Sequence, residues 1–72
     1  MELVYKKTFK GVNEIATRAD GLPIKLRPYL IIVDGNKSVK DLVILNPALK
    51  DLPQVLANLN QEGFIASAES LV

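Results

Sequence analysis

The stretch "LIIVDGNKSVKDL", Leu30 to Leu42, decides the fold, because two different structures compete for it. An Asp-Gly pair between apolar runs is the strongest short-range signal for a β-hairpin. The same residues also suit a tight turn between two helices, in which Gly35 ends the first helix and Ser38 begins the second. The neighbouring residues therefore decide whether the sequence predicts a small β-protein or a mainly helical one.

The residues after the turn favour a helix over 39–46. Ser38 and Asp41 have the spacing of a capping box. The apolar residues that follow keep the 3.6-residue period of a helix: Val39, Leu42 and Val43. A strand would place Asp41 on the same face as Val39 and Val43, with its carboxylate towards the core. We therefore predict a helix here.

The residues before the turn predict a second helix, over 25–34. An apolar stripe at i, i+3, i+4 and i+7 supports it: Leu26, Tyr29, Leu30 and Val33. Pro28 is tolerated if it stays within the first turn, and Gly35 then fits the left-handed position after the helix. The β-branched run Ile31–Val33 keeps a strand open as the alternative.

The clearest helix is predicted over 52–62. Its stripe consists of Leu52, Val55, Leu56 and Leu59. Asp51 is placed as the N-cap, with Gln54 completing a capping box. Gly63 suits the C′ position, and Phe64 is expected to pack back on the helix in a Schellman motif.

The remaining elements complete a β-α-α-α-α-β order. We expect strands over 3–9 and 64–68 and a helix over 12–19, capped by Thr8 and ended by Gly21. The core-facing stripe of that helix is predicted to be Val12, Ile15, Ala16 and Ala19. The fold class is mostly α with a small β-sheet (α+β), and residues 1–72 form a single domain.

The composition argues against catalysis and against metal or cofactor binding. The 72 residues include no Cys and no His, so disulfides, thiolate sites and imidazole groups are excluded. Asp34, Asp41 and Asp51 are assigned to turns and helix caps, where a carboxylate accepts backbone N–H bonds. We expect a non-enzyme with no catalytic, cofactor-binding or metal-binding residues. The aromatic residues are expected at the core or its rim: Tyr5, Phe9, Tyr29 and Phe64.

Charge gives weak support for a nucleic-acid ligand. The net charge is +1 and the pI is about 8.0, below the value typical of dedicated nucleic-acid binders. The candidate basic contacts fall in two groups, Lys6, Lys7 and Lys10, and Lys25 and Arg27. No apolar run is long enough for a membrane span, and a cytoplasmic location is expected.

The helical pattern resembles the core of winged helix-turn-helix domains over residues 25–66. The ending "LANLNQEGFI", Leu56–Ile65, is similar to the one that carries the third helix of that family into its first wing strand. The stretch "KTFKGVNEIATRADGLPIKLRPYLIIVDG", Lys7–Gly35, and the "GFI" of Gly63–Ile65 also resemble a group of small uncharacterised bacterial proteins. The resemblance implies a three-helix core and a third helix that reads DNA.

Two departures from the winged-helix pattern change the expected function from DNA reading to protein interaction. The candidate interaction face of helix 52–62 carries Gln54, Asn58 and Gln61 but no cation, and phosphate contacts supply much of DNA affinity. The wing is expected to be truncated after residues 64–68, and the N-terminal strand is expected to pair with that segment. We therefore expect a regulatory or protein-interaction module that binds another protein or itself as a homodimer. A dimeric DNA-binding regulator is the alternative.

Overall fold

The computed structural model describes residues 3–68, which form a mostly helical α+β fold with a two-stranded antiparallel sheet. A short 3-10 helix precedes α2 and is called the 3-10 turn below. The elements in chain order are β1 Tyr5–Lys7, α1 Phe9–Thr17, the 3-10 turn Ile24–Leu26, α2 Arg27–Ile31, α3 Val39–Leu45, α4 Leu52–Gln61 and β2 Ile65–Ser67. The predicted fold class and element order are confirmed.

The predicted pairing of the two terminal strands is also confirmed. β1 and β2 run antiparallel, with Tyr5 opposite Ser67 and Lys7 opposite Ile65. The Thr8 N–H donates to the Phe64 carbonyl at 3.1 Å and prolongs this ladder. The predicted truncation of the wing concerns residues 69–72, which lie outside the described residues.

The turn at Asp34 joins two helices, as predicted. Its carboxylate accepts the N–H groups of Asn36 and Lys37, at 2.9 and 3.2 Å, which is an Asx turn. Ser38 then caps α3 by accepting the Asp41 N–H at 3.1 Å. The hairpin alternative is therefore wrong, and Asp34 has the turn role assigned to it.

The predicted helix over 25–34 is shorter than expected and is divided in two. Pro28 lies in the first turn of α2, as predicted, but has no N–H to bond the Ile24 carbonyl. The Arg27 N–H bonds that carbonyl instead, so the chain before Pro28 closes as a 3-10 turn. α2 ends at Ile31, and Gly35, with a φ of 81°, belongs to the Asx turn rather than to the helix end.

The C-terminal end of α4 is the predicted Schellman motif. The Phe64 N–H bonds the Leu59 carbonyl at 3.0 Å, and the Gly63 N–H bonds the Asn60 carbonyl at 3.1 Å. Gly63 has a φ of 89°, the left-handed conformation that such a helix end requires. This motif sets the direction in which the chain leaves α4 and enters β2.

The predicted capping box at the start of α4 is wrong. Asp51 occupies the N-cap position but has a left-handed backbone, and its side chain makes no capping bond. Pro53, in the first turn, removes one of the N–H groups that a cap would bind. Gln54 does not reach back to Asp51, and its amide donates to the Asn58 side chain at 3.3 Å.

The predicted inner stripe of α1 is confirmed only at Ile15, which is partly buried and packs against the core, and is wrong at its other three positions. The predicted cap at Thr8 is confirmed by a 3.2 Å bond from the Gly11 N–H. α1 buries Gly11 and Glu14, while Val12, Ala16 and Ala19 are exposed. The helix also ends earlier than expected, because Arg18, with a φ of 58°, already takes the left-handed conformation at its C-cap. Gly21, with a φ of 67°, lies in the loop beyond the helix.

The core lies between α2, α4 and the sheet. Its most deeply buried apolar side chains are Leu30, Val33, Leu52, Leu56 and Ile65. Tyr5 and Phe64 are buried and Tyr29 lies at the core rim, as expected for these aromatic residues. Phe9 contradicts that expectation, because 87% of its surface is exposed.

Candidate interaction surface

Glu14 is a buried carboxylate that sequence reasoning missed. Its two oxygens accept the N–H groups of Asp20 at 2.7 Å and Leu22 at 3.0 Å, which supplies the partners that a buried charge requires. The carboxylate thereby ties α1 to the loop that leads to the 3-10 turn. Glu14 lies three residues after Gly11 and therefore on the same face of α1. A sequence reading that recognised Gly11 as a point of close contact would have placed Glu14 on the inner face.

Two of the five candidate basic contacts are bound to the ends of helices. The Lys7 ammonium donates to the Val33 carbonyl, just beyond α2. The Lys10 ammonium donates to the Glu62 carbonyl at 2.7 Å and lies 4.7 Å from the centre of the Phe64 ring. A cation at a helix C-terminus satisfies free carbonyls and favours the helix dipole.

Arg27 binds a third helix end in the same way. Its guanidinium donates to the Glu14 carbonyl at 3.2 Å and to the Ile15 carbonyl at 3.1 Å, both in the last turns of α1. Lys6 and Lys25 remain exposed and make no ion pair within residues 3–68. Most of the predicted basic surface therefore stabilises the fold, and the two free cations lie on different elements, β1 and the 3-10 turn.

The candidate interaction face of α4 is exposed, as its sequence position predicted. Gln54, Asn58 and Gln61 all face solvent, and a side-chain bond links Gln54 to Asn58. Asn58 also lines a groove beside α4, as does Lys10 of α1. The structure thus brings one residue from each predicted set to the same cavity.

This groove, called the α4 groove below, has a volume of about 350 Å³. Its apolar lining comes from the loop after α1, the 3-10 turn, α4 and the segment between α4 and β2: Leu22, Pro23, Leu26, Val55, Leu59 and Phe64. Its polar rim consists of Lys10, Asp20, Asn58 and Glu62. An apolar cavity with a few polar groups at its edge is the usual form of a binding site.

The second notable surface is the outer face of α1, defined by Phe9, Val12 and Ala16. These residues fall at i, i+3 and i+7, and all three are exposed. They point away from Gly11 and Glu14, which fill the inner face. A smaller cleft of about 220 Å³ lies beside Val12. α1 is therefore amphipathic with an apolar side in solvent.

A third apolar surface lies at the end of α3. Val43, Ile44 and Leu45 are consecutive and exposed there. They line neither of the two cavities described above. This surface provides a comparison for the outer face of α1, because both expose large apolar side chains.

The Asx turn carries the one ion pair found within residues 3–68. The Lys37 ammonium lies 2.8 Å from the Asp34 carboxylate, on the surface. This hydrogen bond, with those from the Asn36 and Lys37 N–H groups, lowers the pKa of Asp34 from 3.8 to about 2. The same pair raises the pKa of Lys37. Asp34 also lines the cleft of about 220 Å³ beside Val12, but the turn does not line the α4 groove.

Two other kinds of site find no support in the described residues. No group of Asp and Glu side chains within residues 3–68 is placed to hold a metal ion. None of the helices in that range has the length and apolar character needed to cross a membrane. Comparison with known proteins adds no assignment, since no family model, curated protein or solved structure matches the chain.

Proposed function

We propose that the protein is a small non-enzymatic, regulatory interaction module that binds another polypeptide. Its binding surface is the outer face of α1 together with the neighbouring α4 groove. One observation carries the proposal: α1 buries Gly11 and Glu14 while it presents Phe9 and Val12 to solvent. A helix that only stabilised the fold would place its apolar side inwards.

The energetics support this proposal. Burial of a side chain such as Phe or Val stabilises a protein by about 1.5–3 kcal/mol relative to exposure. The fold forgoes that gain at Phe9 and Val12, which are 87% and 51% exposed. A partner that covers the outer face of α1 would recover it. Adjacent exposed apolar residues are characteristic of interaction surfaces.

The scaffold that we propose is of the winged-helix type. α2, the Asx turn and α3 precede α4, and both α2 and α3 contact α4. β2 follows α4 directly, in the position of a first wing strand, and β1 takes the place of the second. These features support the scaffold, and its DNA-reading function is not part of our proposal.

A dimeric DNA-binding regulator remains the second candidate because the amide face of α4 is exposed. Asn and Gln side chains pair well with adenine in the major groove. The charges argue against this candidate. Lys7, Lys10 and Arg27 donate to main-chain carbonyls, and α4 contributes no cation for phosphate.

In-cell photocrosslinking tests the proposal. A photoreactive amino acid replaces Val12 or Ala16 on the outer face of α1, and Ala48, which is exposed between α3 and α4, serves as the control. We expect a crosslinked polypeptide from positions 12 and 16 and little from position 48. Equal yields at all three positions, or no adduct at any, would contradict the proposal.

A titration with duplex DNA tests the second candidate. We expect no binding beyond a weak, sequence-independent association at low salt. Sequence-specific binding whose affinity falls steeply as salt rises would instead support the DNA-binding regulator. The two experiments therefore separate a protein partner from a nucleic-acid partner.

A further inference from the structure

We infer that the partner is a second copy of this chain, with Phe9 of each copy inserted into the α4 groove of the other. This inference rests on the proposed function and specifies its partner. The chain carries both complementary features. Phe9 is the most exposed large apolar side chain within residues 3–68, and the α4 groove is an open cavity of about 350 Å³ whose lining combines apolar side chains with a polar rim.

The groove is out of reach of the Phe9 side chain of the same copy. Gly11 faces the Phe64 carbonyl, so the inner direction of α1 is fixed at that residue. Successive residues of a helix are rotated by about 100°, which puts Phe9 about 200° from Gly11 and therefore away from the body of the protein. Its exposure of 87% agrees with this direction. Only another molecule can bring a Phe9 ring into the groove.

The position of the two features favours a symmetric pair. Lys10, the residue directly after Phe9, forms part of the groove wall. The projecting ring and the cavity are therefore neighbours on the surface. A twofold axis between two copies can then satisfy both contacts at once, each copy giving one ring and receiving one. Such a reciprocal contact closes on itself and does not build a filament.

The charges of the two features are complementary. The groove rim carries one cation and two carboxylates. The Lys10 ammonium donates to the Glu62 main-chain carbonyl, whereas the carboxylates of Asp20 and Glu62 form no ion pair within residues 3–68. Lys6, three residues before Phe9, is an exposed cation that is likewise without an ion pair in that range. An incoming Phe9 thus carries a cation towards two free carboxylates. These opposite charges favour the contact between Phe9 and the groove over a contact between two identical surfaces, such as two grooves.

Analytical ultracentrifugation over a concentration series measures the association. We expect the wild type to dimerise reversibly and Phe9→Ser to weaken the dimer at least about tenfold, as expected for an aromatic anchor. Ile44→Ser is the matched control, because it removes an exposed apolar side chain outside the groove. Circular dichroism confirms that both variants stay folded. A wild type that remains monomeric, or equal weakening by both variants, would overturn the inference.

Because the chain has no cysteine, introduced thiols give a direct test of the contact. Phe9→Cys and Asn58→Cys are purified separately, mixed and oxidised, with Phe9→Cys and Ile44→Cys as the control mixture. We expect the 9–58 heterodimer to form faster than the 9–44 heterodimer. Equal rates would overturn the inference.

The crosslinking experiment distinguishes failure of this inference from failure of the proposed function. An adduct at positions 12 and 16 that is heavier by the mass of the chain, 7.9 kDa, supports the second copy as partner. An adduct of another mass at those positions overturns the second copy and leaves the interaction module in place. Absence of any adduct overturns both.

Discussion

Gly11 lies directly against the carbonyl oxygen of Phe64. A Cβ at Gly11 would overlap that oxygen, a clash that no side chain tolerates. The contact brings α1 onto the segment between α4 and β2 and fixes the rotation of α1 about its axis. Glu14 consequently turns inwards, and Phe9 and Val12 turn outwards. The candidate interaction surface is thus a consequence of one glycine.

Gly11→Ala is therefore expected to destabilise the protein by about 1–3 kcal/mol, because the added methyl group forces α1 away from Phe64. The sign of this stability change distinguishes the close contact from an ordinary helical glycine. In a helix without this contact, Gly to Ala stabilises by about 0.5–1 kcal/mol. Urea unfolding of wild type and variant measures the difference. A Gly11→Ala variant that is as stable as wild type would mean that α1 does not approach Phe64 closely.

Glu14→Ala is expected to cost about 2–4 kcal/mol, because it leaves the buried Leu22 N–H and the partly buried Asp20 N–H without an acceptor. Glu62→Ala is the matched control, since that carboxylate is exposed and its loss should change the free energy of unfolding by less than about 0.5 kcal/mol. Thermal unfolding followed by circular dichroism compares them. Equal effects of the two substitutions would contradict the buried role of Glu14.

The sequence predicted those elements whose local rules agree with the packing. Ser38 caps α3, and the Schellman motif at Gly63 and Phe64 ends α4, as the residue types required. Both depend on contacts between residues close in sequence. The pairing of the first and last strands was also predictable, because each would otherwise be left with an open edge.

The candidate site was not predictable in the same way, because its orientation depends on a contact between residues far apart in the chain, Gly11 and Phe64. Periodicity finds the apolar side of α1 but assumes that this side faces the core. The close approach at Gly11 overrides that assumption. Likewise, the charges of Lys7 and Arg27 suggested ligand contacts. Their bonds to helix ends join residues far apart in the chain, which a sequence pattern does not reveal.

The Asx turn should be sensitive to acid. The pKa of Asp34 is lowered from 3.8 to about 2 in the folded state, so the folded protein binds this proton less tightly than the unfolded chain. The stabilisation is therefore fully present above pH 3.8 and is lost as the pH falls towards 2. The effect on stability is small because both partners are exposed.

Lys37→Met tests the cause of this shift. Without the ammonium hydrogen bond, the pKa of Asp34 is expected to rise towards 3.8. A carboxyl-carbon NMR titration of wild type and variant measures both midpoints. An unchanged midpoint would show that Lys37 is not the principal cause.

The amide face of α4 should contribute little to stability. Gln54, Asn58 and Gln61 are exposed and lie off the apolar stripe, and Ala is a better helix former than each of them. The triple substitution to Ala is expected to leave the melting temperature within a few degrees of wild type. Leu56→Ala, at the buried centre of α4, is the contrasting control and should cost about 2–5 kcal/mol. A large loss in the triple variant would mean that this face is covered in solution.

Arg27 and Lys25, two cations close in sequence, should contribute differently to stability. Arg27→Ala removes two hydrogen bonds from the carbonyls at the end of α1, at 3.2 and 3.1 Å, and is expected to cost about 1–3 kcal/mol. Lys25→Ala removes an exposed charge from the 3-10 turn and should change stability by less than about 0.5 kcal/mol. Urea unfolding of both variants measures the contrast. If the variants were equally stable but equally impaired in binding duplex DNA, the two cations would be ligand contacts and the DNA-binding regulator would replace the interaction module.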